Sequence, residues 1–188
     1  MTVAAIILAA GTSRRLGQPK QELRFGGETL LERAVRIANA AGLDPVFAVI
    51  APDRLPLPGP SATALINPDA AEGMASSIRT GVLAADRAGV DGAVILACDQ
   101  PAVTAGHLRA LIRDGGQVVA SAYAGRKGVP AYFPSSVFGE LLELRGDTGA
   151  RGLLSSARAI PLANGELDID TKEDLARAQA LFPEGLPD

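Results

Sequence analysis

The chain has 188 residues, a length that suits one large domain with a single sizeable core. Hydrophobic residues make up 47% of it and charged residues 21%, while aromatic residues are only 4% and tryptophan is absent. The net charge of −3 and the scarcity of aromatic side chains argue against a protein that binds nucleic acid or an anionic membrane surface.

The N-terminal part begins with a buried strand. An apolar run, Val3–Leu8, predicts this strand, and it leads into a loop rich in Gly, Thr, Ser and Arg that ends at Lys20. Thr29 and Glu32 form a capping box, which predicts a helix that starts there and stops at Gly42.

Strand and helix signals alternate along the rest of the chain. Extended segments are predicted at residues 23–25, 45–51, 62–66, 92–97, 117–122, 129–133 and 160–162. Helices are predicted after Gly73, from Thr104 to about Arg113, from Ser135 to about Leu144, through Leu154, and from the capping box of Thr171 and Asp174 to about Phe182. We expect a surface loop at the proline-rich residues 52–60 and a frayed tail at residues 183–188. Continuous apolar strands separated by helices predict one α/β domain over residues 1–188, with a mostly parallel sheet covered by helices on both faces.

The loop that ends at Lys20 has the character of a phosphate-binding loop. Ligands of parallel sheets bind at the carboxyl ends of strands, where backbone N–H groups near Gly11 can close on an anion. Arg14, Arg15 and Lys20 add positive charge. The glycine spacing fits neither a P-loop nor a G-x-G-x-x-G dinucleotide site. We therefore expect a longer phosphate-binding loop, and the alternative is a solvated surface loop.

Acidic residues at two places are candidates for a magnesium site. Asp99 comes two residues after the strand at 92–97, and the end of a buried strand is a usual position for a Mg²⁺ ligand. Asp168 and Asp170 lie one residue apart on an extended segment before a capped helix, so they point the same way. The alternatives are ordinary turn and cap roles. A metal site requires Asp99 and Asp170 to converge, which the sequence alone does not establish.

Other polar residues occur singly, and such residues are more often structural than functional. The cations in glycine-rich segments are Arg126, Lys127 and Arg151, and the polar residues at turns or helix starts are Asn67, Ser76 and Ser77. No Ser/His/Asp triad can be built around the only histidine, His107, and we expect Cys98 to be a small buried residue.

Five segments, in chain order, resemble one family. LAAGTSRRLGQPK resembles the LAAG-x-S-x-R-(M/L)-G-x-x-K signature of MobA-like nucleotidyltransferases. The other segments resemble the branch of the family typified by molybdenum cofactor cytidylyltransferase. They are NPDAAEGMASSIRTGV, CDQPAVT, RKGVPAYF with RGDTGARGLL, and DIDTKEDLA. The match runs from Ile6 to about Ala176, and it is more specific for the family than for the substrate.

The resemblance implies a Rossmann-like three-layer α/β/α sandwich of the nucleotide-diphospho-sugar transferase type. It also implies Mg²⁺-dependent transfer of a nucleoside monophosphate from an NTP to a phosphate of the acceptor, with release of pyrophosphate. Related guanylyltransferases carry LAGG in the first loop. The LAAG of this chain therefore favours CTP, with a molybdopterin-type acceptor.

The resemblance also assigns residues to roles. The nucleotide-binding residues are Leu8, Ala9, Ala10, Gly11, Thr12, Arg15, Lys20, Asn67, Ser76 and Asp99. The metal ligands are Asp99 and Asp170, and the catalytic residues are Lys20, Arg15 and Asp99. Four further residues are assigned to the acceptor from their charge and position alone: Gln100, Arg126, Lys127 and Arg151.

Three alternatives remain open at this stage. The first is the same fold and reaction with another NTP or acceptor. The second is a non-catalytic partner that delivers cofactor to a molybdenum hydroxylase apo-enzyme or its chaperone. The third, an NAD-dependent oxidoreductase, is disfavoured by the missing G-x-G-x-x-G motif. The single cysteine, with no signal peptide, transmembrane segment or lipidation motif in the sequence, favours a cytoplasmic protein.

Overall fold

The computed structural model describes residues 1–11, 20–25, 27–52, 59–147, 149–183 and 185–188. Thr12, Arg14 and Arg15 lie outside the described residues, so their assignment to the nucleotide stays a prediction. Most of the proline-rich segment, residues 53–58, lies outside them as well. Within the described parts of the chain, every helix is too short or too polar to cross a membrane.

Strands and helices are interspersed along the described parts of the chain, as predicted. The strands are β1 (Val3–Leu8), β2 (Arg24–Phe25), β3 (Glu28–Thr29), β4 (Val46–Ile50), β5 (Thr63–Ile66), β6 (Gly92–Ala97), β7 (Val119–Tyr123), β8 (Arg126–Pro134) and β9 (Arg158–Pro161). The helices are α1 (Leu30–Ala40), α2 (Met74–Arg87), α3 (Ala105–Ile112), α4 (Phe138–Leu142), α5 (Arg151–Ser155) and α6 (Lys172–Leu181). Short 3₁₀ helices cover Lys20–Glu22, Ala70–Glu72 and Ser135–Val137.

The central sheet has seven strands in the order β5-β4-β1-β6-β8-β7-β9. All its pairings are parallel except the two made by β8, which is antiparallel to β6 and to β7. A tight turn at Ala124 and Gly125, both with positive φ, joins β7 to β8 and reverses the chain. The mostly parallel sheet is confirmed, and β8 is the exception that the hydrophobic pattern does not predict.

Two cores, one on each face of the sheet, produce the three layers. Along β1, Ala5 and Ile7 pack toward α1 and α3, whereas Ala4 and Ile6 pack toward α2 and α4. Neighbours in a strand point to opposite faces, so a continuous apolar run fills both cores. The α/β/α sandwich is confirmed.

Two local predictions differ from the structure. Ser135 does not cap a helix: it begins a 3₁₀ turn, and α4 starts only at Phe138. The tail lies against α1 instead of fraying, because buried Arg33 donates a hydrogen bond to the carbonyl of Pro187. In addition, Arg36 forms an ion pair with Asp188 at 2.5 Å.

Candidate active site

A cavity lies where β1 and β6 end. These strands are parallel neighbours with Leu8 opposite Ala97, so the residues that follow them meet at one edge of the sheet. The cavity measures about 420 Å³. Its lining consists of Leu8, Ala9, Ala10, Gly11, Lys20, Ala70, Ala71, Gly73, Met74, Ser77, Ala97, Cys98, Asp99, Val129 and Asp147. The first predicted loop and the predicted metal-binding aspartate therefore share one cavity.

Lys20 joins the two predicted metal ligands. Its Nζ lies 2.5 Å from Oδ2 of Asp99 and 2.5 Å from Oδ1 of Asp170. Both contacts end on one nitrogen, so the two carboxylates face the same point. The convergence of Asp99 and Asp170 that a metal site requires is present in the structure.

The three charges are partly shielded from water. The exposed fractions of the side chains are 17% for Lys20, 14% for Asp99 and 31% for Asp170. Burial by itself lowers the pKa of Lys20, but the charges and hydrogen bonds of Asp99 and Asp170 outweigh burial and raise the pKa above its usual value. Lys20 is therefore an ammonium ion at neutral pH.

Asp168 adds a third carboxylate to this region. Burial, followed by the negative charge of Asp99, raises its pKa to about 6, although Arg126 and Lys20 oppose the shift. Asp168 and Asp170 are both partly exposed, while Leu167 and Ile169 are buried in a small core. The prediction that the two aspartates point the same way is confirmed. Buried and partly exposed residues alternate along this segment, so both aspartates lie on its partly exposed side.

Gln100 is buried directly behind Asp99. Only 4% of the residue is exposed. Its Nε2 donates to the carbonyl of Val129 at 3.1 Å, with longer contacts of 3.5 Å to the Tyr123 hydroxyl and the Gly165 carbonyl. Its Oε1 has no hydrogen-bond partner among the described residues. Gln100 thus connects the end of β6 to the β7–β8 hairpin.

Of the four predicted acceptor contacts, Gln100 and Arg126 both lie against Tyr123. Arg126 stacks on the ring of Tyr123 at 5.3 Å, and Arg151 is exposed at the first turn of α5. Lys127 donates to the carbonyls of Ser155 and Ala157, at 2.9 and 2.7 Å. Because its ammonium binds carbonyls at the end of α5, the geometry supports a structural role for Lys127.

Asn67 and Ser76 belong to the scaffold of α2. Asn67 is 1% exposed, and its Nδ2 donates to the hydroxyls of Ser76 and Ser77 at 2.9 Å each. These bonds attach the end of β5 to the first turn of α2. Ser77 lines the main cavity, whereas Asn67 and Ser76 line a separate hollow. Asn67 and Ser76 are therefore outside the lining of the main cavity, and the nucleotide contacts predicted for them stay a prediction.

Asp147 is a cavity residue that the sequence reasoning missed. Helix α2 has no side-chain cap of its own. Instead, Oδ1 of Asp147 accepts a hydrogen bond from the N–H of Met74 at 3.3 Å, and the carbonyl of Gly146 accepts one from Ala75 at 3.0 Å. The available signal was a helix that starts after Gly73 without a capping Ser, Thr, Asp or Asn.

Comparison with known proteins identifies the family to which the chain belongs. Residues 5–160 match the MobA-like NTP transferase domain. The purine catabolism protein PucB of Bacillus subtilis is 37% identical, over 90% of this chain and 92% of that protein. A probable molybdenum cofactor guanylyltransferase of Opitutus terrae is 33% identical, over 70% of this chain and 66% of that protein.

A solved structure agrees with these matches. Rv0371c from Mycobacterium tuberculosis, in a complex with manganese, has a TM-score of 0.72 and 28% identity, and the match covers 95% of this chain and 98% of that one. The family domain spans most of the chain, and the matched residues include Lys20 and Asp99. The chain belongs to the MobA-like NTP transferase family of nucleotidyltransferases.

Proposed function

We propose that this protein transfers CMP from CTP to the phosphate of a molybdopterin-type cofactor and releases pyrophosphate. One observation carries the proposal: Lys20 forms ion pairs with both Asp99 and Asp170. Lys20 and Asp99 line the same cavity as residues 9–11. Transfer of a nucleotidyl group requires positioned phosphates and neutralisation of charge on the leaving pyrophosphate. A cation and two carboxylates beside a glycine-containing loop can supply both.

The donor set fits Mg²⁺. This ion takes one or two carboxylates together with substrate phosphates and water, and Asp99 and Asp170 face a common point already held by a positive charge. The described residues contain no group of three or more His, Cys, Asp or Glu side chains arranged to hold a metal. We infer that Asp99 and Asp170 would hold the ion and that nucleotide phosphates complete its ligands. When bound, Mg²⁺ supplies charge neutralisation and orientation at the phosphates.

The remaining chemistry needs no protein nucleophile. The acceptor phosphate attacks the α-phosphate in line, and it is anionic without help from a general base. Lys20, with Arg15 from the predicted loop, holds the triphosphate by charge. Burial raises the pKa of the Cys98 thiol, so it is protonated and inert at neutral pH.

The choice of CTP depends on the end of β1. Ala9 and Ala10 are nearly buried, at 3% and 7% exposed, and both line the cavity. A methyl group at position 10 takes space that a glycine leaves for the larger guanine. The nearest alternative is the same reaction with another NTP or acceptor, which the guanylyltransferase relative favours.

A second candidate comes from another class of function. PucB is named for purine catabolism and not for nucleotidyl transfer. That similarity favours a non-catalytic partner that delivers cofactor to a molybdenum hydroxylase apo-enzyme or its chaperone.

An activity assay tests the proposal. The protein is incubated with each of the four NTPs, Mg²⁺ and molybdopterin-type cofactor, and pyrophosphate is measured. We expect release with CTP, and no release with CTP would refute the cytidylyl transfer.

A variant separates the two candidates. Asp99→Asn should abolish turnover while the fold is kept, and Asp86→Asn, on the exposed side of α2, should leave turnover unchanged. A delivery partner would instead support hydroxylase activation equally well with Asn at position 99.

A further inference from the structure

The ammonium of Lys20 occupies the point that the two metal-binding carboxylates share. Nζ lies 2.5 Å from one oxygen of Asp99 and 2.5 Å from one oxygen of Asp170. The three side chains are mostly withdrawn from water, so their charges interact more strongly than surface ion pairs.

An ammonium and a divalent ion compete at such a point. Mg²⁺ requires direct contact with carboxylate oxygens at about 2.1 Å, in a nearly octahedral arrangement. An ion bound to both of these oxygens must displace the ammonium that already contacts them. The displaced Lys20 then loses two charge-assisted hydrogen bonds, which are the strong kind. Metal binding to the free protein therefore carries the cost of breaking two ion pairs.

The nucleotide can offset that cost. An ideal Cβ on Gly11 would lie 3.9 Å from Cε of Lys20, so the lysine stem passes beside the loop that is proposed to bind phosphate. A triphosphate held there offers Lys20 new anionic partners within a short movement. It also offers the oxygen ligands that the described residues do not supply to a metal. The nucleotide thus draws Lys20 away from the carboxylates that the metal needs, and the metal frees Lys20 to bind the phosphates.

We propose that Lys20 is an internal counter-cation, which fills the metal site of the free protein and moves to the triphosphate when metal and nucleotide bind together. The inference rests on the proposed function, because it takes Asp99 and Asp170 as the metal ligands. It adds that the free protein binds divalent ions weakly. It also adds that nucleotide and metal raise each other's affinity by the same factor, as linkage requires.

Titration of Mn²⁺, followed by electron paramagnetic resonance of the free ion, tests the first part without any turnover. We expect Lys20→Met to bind Mn²⁺ about tenfold or more tightly than the natural protein, because no charge-assisted bond has to be broken. Lys20→Arg keeps the cation and should keep Mn²⁺ binding weak. Lys172→Met removes the same charge from an exposed site and should change little. If the methionine variant does not fold by circular dichroism, Lys20→Gln makes the same comparison.

The same titration with CTP present, and no acceptor, tests the coupling. In the natural protein CTP should raise Mn²⁺ affinity by about tenfold more than it does in Lys20→Met. Equal or weaker Mn²⁺ binding by the folded neutral variants of Lys20 would overturn the inference, as would an equal effect of CTP in both proteins. If the protein fails to transfer CMP but its neutral variants bind Mn²⁺ more tightly, the proposed function is wrong and the counter-cation stands.

Discussion

The backbone N–H of Ile169 donates a hydrogen bond of 3.0 Å to the backbone carbonyl of Asp99. This bond attaches the segment before α6 to the end of β6, and the burial of Ile169 among Leu23 and Leu30 reinforces it. The backbone therefore holds Asp99 and Asp170 close together. Because neither the bond nor the burial involves Lys20, we expect the two carboxylates to remain together when Lys20 moves away.

Substitution of Gly73 should destabilise the start of α2. Gly73 has a φ of 120°, and a Cβ there would lie 2.3 Å from Oδ1 of Asp147 and 2.8 Å from the backbone of Gly146. We expect Gly73→Ala to lower the free energy of unfolding by about 1–3 kcal/mol, measured by urea denaturation. Gly139→Ala is the matched control, since Gly139 lies in α4 with open space around its Cβ position. A stability loss as large at Gly139 would contradict this explanation.

An acid at position 100 should make stability depend on pH. The carbonyls of Val129 and Gly165 face the amide of Gln100, and the residue is 4% exposed. In Gln100→Glu the buried carboxyl would keep its proton in the folded state, with its pKa raised above the unfolded value of about 4.3. The loss of stability should therefore be small below that pH and grow as the pH rises toward the folded pKa.

Urea denaturation at about pH 4.5 and at about pH 8 measures this effect. Gln117→Glu, at an exposed position, should show no comparable pH dependence. Gln100→Leu, which loses the hydrogen bonds without adding a charge, should lower the free energy of unfolding by about 1 kcal/mol at both pH values.

Protonation of His107, the only histidine, should lower the free energy of unfolding in mild acid. Nε2 of His107 lies 2.7 Å from the Ser121 hydroxyl, which itself donates to the Pro130 carbonyl at 2.5 Å. Burial lowers the pKa of His107 below 6.5. The unfolded chain therefore takes up the proton first, and the free energy of unfolding should fall as the pH drops from 6.5 through the folded pKa.

The comparison of natural protein with His107→Gln isolates this contribution. Both proteins are unfolded with urea from about pH 7.5 to about pH 5.5. The natural protein should lose more stability over this range than the variant. Equal slopes would show that His107 is not responsible.

The methyl group of Ala10 should affect the choice of base. Ala10 is 7% exposed and lines the cavity next to Gly11. Ala10→Gly removes that methyl group and should weaken discrimination against GTP, by about tenfold in the ratio of kcat/KM for CTP to that for GTP. The ratio is measured with both nucleotides on one preparation. An unchanged ratio would count against a role for Ala10 in base selection.

The sequence by itself determined the elements whose signals are local. The apolar runs at β1 and β6 and the capping boxes at Thr29 and Thr171 need only near neighbours, and all four were predicted correctly. The ordered motifs also indicated the family. Spacing in one extended segment was enough to predict that Asp168 and Asp170 point the same way.

The tertiary structure alone decided what depends on contacts between distant segments. It reversed β8 within the sheet and capped α2 with Asp147 from a remote loop. Two further contacts could be seen only in the folded chain. Ser77 lines the cavity, and the Lys20 ammonium contacts both Asp99 and Asp170. These relationships arise from strand order, burial and backbone hydrogen bonds across the sheet edge, and local hydrophobic periodicity contains no information about them.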